Sequence, residues 1–205
     1  MSFTIAPHAG PVSAQARENA LEDPGFGRVF TDHMVTLRWS ADRGWHDGKV
    51  TARAPIAVDP GASVLHYAQE VFEGMKAYRT AKGAIVLFRP DMNASRFARS
   101  AERLAMPVLP ESLFIQAVEE LVRIDKDWVP GGAGSLYLRP FMFASEAFLG
   151  VRPAQEYIFC VIAYPVGPYF KGGDQPLKLW VSDKYTRAAP GGTGAAKCGG
   201  NYAAS

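Results

Sequence analysis

Asp91-Met92-Asn93-Ala94-Ser95-Arg96-Phe97-Ala98-Arg99-Ser100-Ala101-Glu102-Arg103-Leu104 is the stretch on which the fold class turns. From Met92 to Leu104 the apolar residues Phe97, Ala101 and Leu104 recur at i, i+4 and i+7, the period of one helical face. Arg96, Arg99 and Arg103 recur at similar spacing on another face, and Arg99 and Arg103 read as a solvated basic surface. Pro90 closes the strand before this helix, and Asp91 has the side chain to cap it. A second helix is predicted over about 111–126, burying Phe114, Ala117, Val118 and Leu121 and turning Glu119, Glu120 and Arg123 outward. Trp128-Val129-Pro130-Gly131-Gly132 ends it.

Strand-like runs lie on both sides of this helical pair. Before it come Met34–Trp39 and Lys49–Ala57, with the turn dipeptide Asp47-Gly48 ahead of the second, and then Met75–Arg79 and Ala84–Phe88 around Gly83. After it come Leu136–Phe143, Tyr157–Tyr164 and Leu177–Val181, short, apolar and rich in aromatic or β-branched residues. Strands, two helices, then strands again imply an α+β fold rather than regular βαβ alternation. Residues 1–28 carry no period and read as an N-terminal arm, and the Gly/Pro-rich stretch from Gly167 reads as a loop between domains.

Composition narrows the function classes. In 205 residues, 22 Lys+Arg face 20 Asp+Glu, too balanced to imply a nucleic-acid or membrane-surface partner. Tyr157–Tyr164, the longest strongly apolar run, is far short of the roughly 20 residues a membrane helix needs. Cys160 and Cys198 make no disulfide framework, and His8, His33, His46 and His66 are scattered, so no metal site is expected. The first twenty residues show no basic start followed by an apolar core, so the expected compartment is the cytoplasm.

The segment richest in chemistry is Gly191-Gly192-Thr193-Gly194-Ala195-Ala196-Lys197-Cys198-Gly199-Gly200-Asn201-Tyr202. A phosphate-binding P-loop needs Gly before the lysine and Ser/Thr after it, where this chain has Ala196 and Cys198. A dinucleotide fingerprint fails as well, because Lys197 stands where the third Gly belongs. A lysine among slim neighbours suits a nucleophilic amine, with room beside it for a flat cofactor such as pyridoxal 5'-phosphate. A lysine on a flexible Gly/Ala linker is the ordinary alternative.

With four further blocks in the same order, the segment resembles the branched-chain amino-acid aminotransferases, class IV aminotransferases of pyridoxal-phosphate fold type IV. The blocks are Leu65-His66-Tyr67-Ala68-Gln69-Glu70-Val71-Phe72-Glu73-Gly74-Met75-Lys76-Ala77-Tyr78, Leu87-Phe88-Arg89-Pro90-Asp91-Met92-Asn93-Ala94-Ser95-Arg96, Ser135-Leu136-Tyr137-Leu138-Arg139-Pro140 and Pro165-Val166-Gly167-Pro168-Tyr169-Phe170. The resemblance runs from about Pro24 to the last residue. It implies a small α+β domain over 29–166, an interdomain loop over 167–176, and at 177–205 the beginning of a larger cofactor-binding domain.

The resemblance also assigns roles. Lys197 matches the lysine that holds pyridoxal 5'-phosphate and then shuttles the substrate proton, and Tyr202 the tyrosine bonded to the cofactor's phenolic oxygen. Arg96 matches the arginine that grips the phosphate, a bidentate match for guanidinium. Phe72, Tyr169, Tyr67, Leu149 and Val151 match positions lining the side-chain pocket, the last three donated by a neighbouring subunit of a homodimer. Arg139 matches the arginine associated with the distal carboxylate of an acidic substrate. Core packing is the ordinary reading of such aromatic and aliphatic residues.

The implied activity moves the amino group of L-leucine, L-isoleucine or L-valine to 2-oxoglutarate, yielding 2-oxo acids and glutamate. Rivals of the same fold are a D-amino-acid aminotransferase and aminodeoxychorismate lyase. A nucleotide-binding module on the Gly-rich loop, or a non-catalytic fragment, would be a different class of answer. The family places the pyridine-nitrogen carboxylate and further phosphate contacts beyond the counterpart of Ser205, which implies that these residues are one segment of a longer polypeptide, inactive alone.

Overall fold

The computed structural model describes residues 2–168 and 176–203. One eight-stranded sheet organises them, in the order β1-β3-β2-β8-β7-β5-β6, with β4 alongside β7 off that path. The strands are β1 (Thr4–Ile5), β2 (His33–Ser40), β3 (Gly44–Ala52), β4 (Glu70–Phe72), β5 (Met75–Arg79), β6 (Ile85–Leu87), β7 (Ser135–Ala144) and β8 (Glu156–Val166). All neighbours are antiparallel except β1 beside β3. Four helices accompany them: α1 (Ala14–Glu22), α2 (Ser63–Tyr67), α3 (Pro90–Arg103) and α4 (Glu111–Ile124). The α+β reading holds.

The two predicted helices form and cover the sheet. Phe97 of α3, Phe114 of α4 and Phe159 of β8 meet with ring centroids 5.3 to 6.0 Å apart. Period-two alternation in β7 decides what reaches this core. Leu136, Leu138, Met142 and Ala144 are fully buried beneath the helices, so Tyr137, Arg139, Phe141 and Phe143 stand on the opposite face. Arg139 thus sits in an otherwise apolar strand because it occupies an odd position.

Several local expectations are corrected. Asp47-Gly48 is not the turn of the β2/β3 hairpin but a bulge inside β3. Thr36 pairs with Lys49 and Arg38 with His46, leaving two β3 residues opposite Leu37. Asp47 takes φ 53°, and a Cβ at Gly48 would lie 2.9 Å from Leu37 Cδ1. The β3 strand ends at Ala52, short of Pro55, which has no N–H for a ladder. The cap position of α3 is Arg89, in the left-handed region, with Pro90 first in the helix and Asp91 in its first turn. Leu177–Val181 forms no strand: Leu179, Trp180 and Val181 are exposed, and no strand of the described residues lies beside them to pair with. The arm is not irregular throughout, since β1 pairs with β3 and Ser13 caps α1 by accepting from Ala16 N.

Cys160 is fully buried on β8, and burial pushes its thiol up to about 12. The neutral thiol is therefore the form the fold favours. Its contribution is intact below the ordinary thiol value of about 8.5 and is lost as pH rises toward the folded value. Cys198 is also buried. At pH 8 a thiol-specific reagent is expected to titrate both cysteines only after denaturant is added; fast native labelling would contradict this packing.

Candidate active site

Lys197 is presented by the packing of its two neighbours. Ala196 and Cys198 are 4% and 3% exposed and belong to the core, so burial on either side leaves the lysine between them turned outward. Its Nζ donates to Tyr202 Oη at 2.8 Å and stands 4.3 Å from the centroid of the Phe72 ring. Phe72 and Tyr202 meet at 5.1 Å, making an aromatic wall beside the amine. Tyr202 reaches this position because Gly199–Tyr202 winds into a short 3-10 turn.

The glycine-rich loop is pinned by residues whose part in the site no sequence motif announces. Asn201, 2% exposed, donates to the carbonyls of Thr193 and Ala196, both at 2.8 Å, and accepts from Thr193 Oγ1. On β4, Phe72 N–H donates to the Lys197 carbonyl at 3.0 Å, and Glu70 accepts from Gly199 N–H. Burial pushes the Glu70 carboxyl up, while the Gly199 N–H and the charge of Arg139 pull it back.

Arg96 lies on α3 with its side chain half-exposed. Its Nε and Nη2 both donate to the Glu73 carboxylate, at 2.5 and 2.8 Å, and Nη1 makes no hydrogen bond among the described residues. Glu73 is fully buried and also accepts from Asn93 Nδ2 at 2.8 Å and from Gly74 N–H at 3.1 Å. Arg96 is thus oriented by a fork-on-fork pair with one arm left over. The hydrogen bond and charge of Glu73 push the Arg96 guanidinium's pKa up, against the opposing effect of its partial burial.

Arg139 joins the same surface from β7. Its guanidinium carbon stands 4.7 Å from the Phe72 ring centroid and 5.4 Å from that of Tyr137, and Nη2 donates to Tyr137 Oη at 3.3 Å. Its Nε is buried with no hydrogen-bond acceptor among the described residues, so one N–H of a cation whose charge is felt by Glu70 is left unmet. Tyr137 stacks on Tyr164 at 4.8 Å. Gly74 leaves room for that tyrosine, because a Cβ there would collide with Tyr137 Oη. Gly74→Ala is accordingly expected to cost about 1–3 kcal/mol of stability, the range for overpacking. A chemical-denaturation midpoint equal to wild type would contradict this close approach.

The structure therefore brings Lys197, Tyr202, Phe72, Arg96 and Arg139 onto one connected surface. Tyr67 and Leu149 are placed together elsewhere, Tyr67 Oη donating to the Leu149 carbonyl, with Val151 beside them in sequence and 94% exposed. Among the described residues, the contacts of the Lys197 amine are with Tyr202 and Phe72 and include none of those three. Tyr169 lies outside the described residues. Among the described residues no group of side chains could hold a metal ion, and no helix is long and apolar enough to cross a membrane. Chemically, the surface offers an amine hydrogen-bonded to a phenol, a guanidinium with a free arm, and a second guanidinium with one buried N–H unmet.

No protein-family model matches the chain. It is 57% identical over 206 residues to the probable branched-chain-amino-acid aminotransferase of Streptomyces coelicolor, and 56% identical over 207 residues to the branched-chain-amino-acid aminotransferase of Mycobacterium tuberculosis. Each alignment takes in 100% of this chain but only 57% and 56% of the relative, so the chain spans little more than half the length of these relatives. The Escherichia coli branched-chain amino acid aminotransferase matches the fold with a TM-score of 0.60 at 22% identity, over 84% of this chain and 53% of that one. The T.th. branched-chain amino acid aminotransferase matches in a complex with 4-methylvaleric acid (TM-score 0.53, 28% identity, 81% and 50% covered). It also matches in a structure with pyridoxamine 5'-phosphate (TM-score 0.51, 24% identity, 81% and 52% covered). Along its whole length the chain is thus similar to branched-chain-amino-acid aminotransferases, and it shares the fold of their solved structures, fold type IV, over little more than half of these relatives' length.

Proposed function

We propose that the protein carrying this chain is a pyridoxal-phosphate transaminase that moves the amino group of L-leucine, L-isoleucine or L-valine to 2-oxoglutarate. The observation that carries the reading is the outward-turned Lys197 amine, 2.8 Å from Tyr202 Oη and set over the Phe72 ring. The residues fit the cofactor: an accessible amine, a phenol within a hydrogen bond of it, and a guanidinium arm free for a phosphate oxygen. A relative in this family is solved with pyridoxamine 5'-phosphate. Bound there, pyridoxal 5'-phosphate supplies a carbonyl for amines to condense with and an electron sink for the substrate Cα.

This chain's own residues then have distinct work. Lys197 holds the cofactor and moves the proton at the substrate Cα. Tyr202 donates to the cofactor's phenolic oxygen, and Arg96, backed by Glu73, holds the phosphate. Phe72 packs against branched aliphatic side chains, with Tyr169 assigned to the same pocket. The 4-methylvaleric acid bound to the T.th. enzyme is a ligand of that kind. Arg139, whose Nε is buried without an acceptor among the described residues, pairs with the distal carboxylate of 2-oxoglutarate or glutamate.

The proposal extends to assembly and place. The exposed patch of Tyr67, Leu149 and Val151 suits a homodimer in which these residues complete the partner's pocket. Residues 29–166 are the small domain and 177–205 the beginning of the larger one, with 167–176, most of which lies outside the described residues, assigned as the connecting loop. Two free, buried cysteines suit a reducing cytoplasm. The discriminating assay offers L-leucine and D-alanine to the purified intact protein with 2-oxoglutarate. Turnover of L-leucine alone is expected; the reverse preference would sink the assignment in favour of a D-amino-acid enzyme.

A further inference from the structure

Helix α3 presents Arg96, Ser100 and Arg103 at i, i+4 and i+7, one stripe of its surface. Ser100 is fully buried, and its hydroxyl donates to the Arg96 carbonyl at 2.8 Å. Such a back-bond is ordinary for a helical serine, but it commits the only proton the hydroxyl has. The oxygen is left as an acceptor, and it receives the Lys197 amide N–H at 2.9 Å. One turn on, Arg103 Nη2 donates to the carbonyls of Gly191 and Gly192, at 2.7 and 2.8 Å. Arg103 is therefore not merely part of a solvated basic face.

The lysine loop needs such anchors. Gly191, Gly192, Gly194, Gly199 and Gly200 give it a backbone with few steric limits and a large conformational entropy to lose. Asn201 closes the loop on itself. What fixes it relative to Arg96 must come from outside, and on α3 it is Ser100 that bonds the main chain of Lys197 itself.

We propose that Ser100 is a positioning residue for Lys197, its hydroxyl locking the main chain of the amine-bearing residue to the helical turn that carries Arg96, with Arg103 holding the glycine loop upstream. The inference rests on the reading of Lys197 as the cofactor-bearing lysine. Without the hydroxyl, the Lys197 N–H loses its acceptor, and of the hydrogen bonds that tie the lysine loop to α3 those of Arg103 upstream remain.

The test uses the intact protein loaded with pyridoxal 5'-phosphate, comparing wild type with Ser100→Ala, Arg103→Ala and, as control, Arg99→Ala. The readouts are the pH titration of the cofactor's visible absorbance and the separate values of kcat and KM. Ser100→Ala is expected to move the titration midpoint by about half a pH unit or more, because the amine's surroundings change. It should lower kcat on the order of tenfold to a hundredfold, the cost of a small misplacement, with KM for the amino donor within about twofold. Arg103→Ala moves both readouts the same way and less, and Arg99→Ala moves neither. Should Ser100→Ala fail to fold, the surface variant Arg103→Ala decides alone. Wild-type midpoint and kcat in Arg103→Ala, or in a folded Ser100→Ala, overturn the proposal. A wild-type protein with no visible band dependent on Lys197 would instead overturn the cofactor reading, which keeps the two failures distinct.

Discussion

Replacing Lys197 by alanine is expected to abolish the visible band of the pyridoxal-phosphate-loaded protein and to lower transamination by at least about 10²- to 10⁴-fold, the usual worth of a positioned proton-transfer group. The substitution removes an amine whose contacts are the Tyr202 hydroxyl and two aromatic rings, and none of these holds up the core. Stability should therefore stay within about 0.5 kcal/mol of wild type. Lys197→Arg is expected to be equally inactive, because a guanidinium keeps its charge at neutral pH and cannot act as a neutral amine. A Lys197→Ala protein that retains the band and turnover would remove the basis of the functional reading.

Arg96→Ala has the second-largest expected effect, and it acts on folding as well as on cofactor binding. Glu73 is fully buried, and Arg96 is the cation paired with it. Deleting the guanidinium leaves a buried carboxylate supported by only Asn93 Nδ2 and the Gly74 N–H among the described residues. The expected cost is about 3 kcal/mol, the low end for breaking a buried pair, because the arginine is itself half-exposed. Chemical denaturation measures that loss. Adding Glu73→Gln to Arg96→Ala should restore much of the stability, since a neutral amide needs no counter-charge. Cofactor affinity should not recover, since the proposed phosphate contact is gone. Recovery of both in the double variant would show that Arg96 has only a structural role.

How much of this was legible in the sequence depended on whether a signal was local. Helices α3 and α4 were legible from period alone, since Phe97, Phe114 and Leu121 could face only one way. Strands β7 and β8 were legible from apolar, β-branched and aromatic runs. The Asp47-Gly48 dipeptide misled because a bulge and a hairpin turn both demand a positive φ, and only the register with Thr36 and Arg38 separates them. Leu177–Val181 misled for a related reason: β propensity describes a willing strand, while a strand exists only beside a partner.

Within the site, Lys197, Tyr202, Phe72, Arg96 and Arg139 came from matching whole blocks to a family; spacing alone left a linker lysine and a basic helix face standing. Residues that hold those five in place were not visible as such. Glu73 sat inside a quoted block without a role, since nothing local in the chain says that a carboxylate will be buried against an arginine 23 positions on. Ser100 carried a faint signal, being one turn after Arg96, but its bond to Lys197 spans 97 positions.

The most direct test of the central claim is reduction of the pyridoxal-phosphate-loaded intact protein with borohydride, followed by digestion and peptide mass spectrometry. A phosphopyridoxyl group is expected on Lys197, in the peptide that also contains Cys198 and Tyr202, with Lys76, Lys178 and Lys184 unmodified. Stable labelling of any of those three in place of Lys197, or of no lysine at all, would contradict the account.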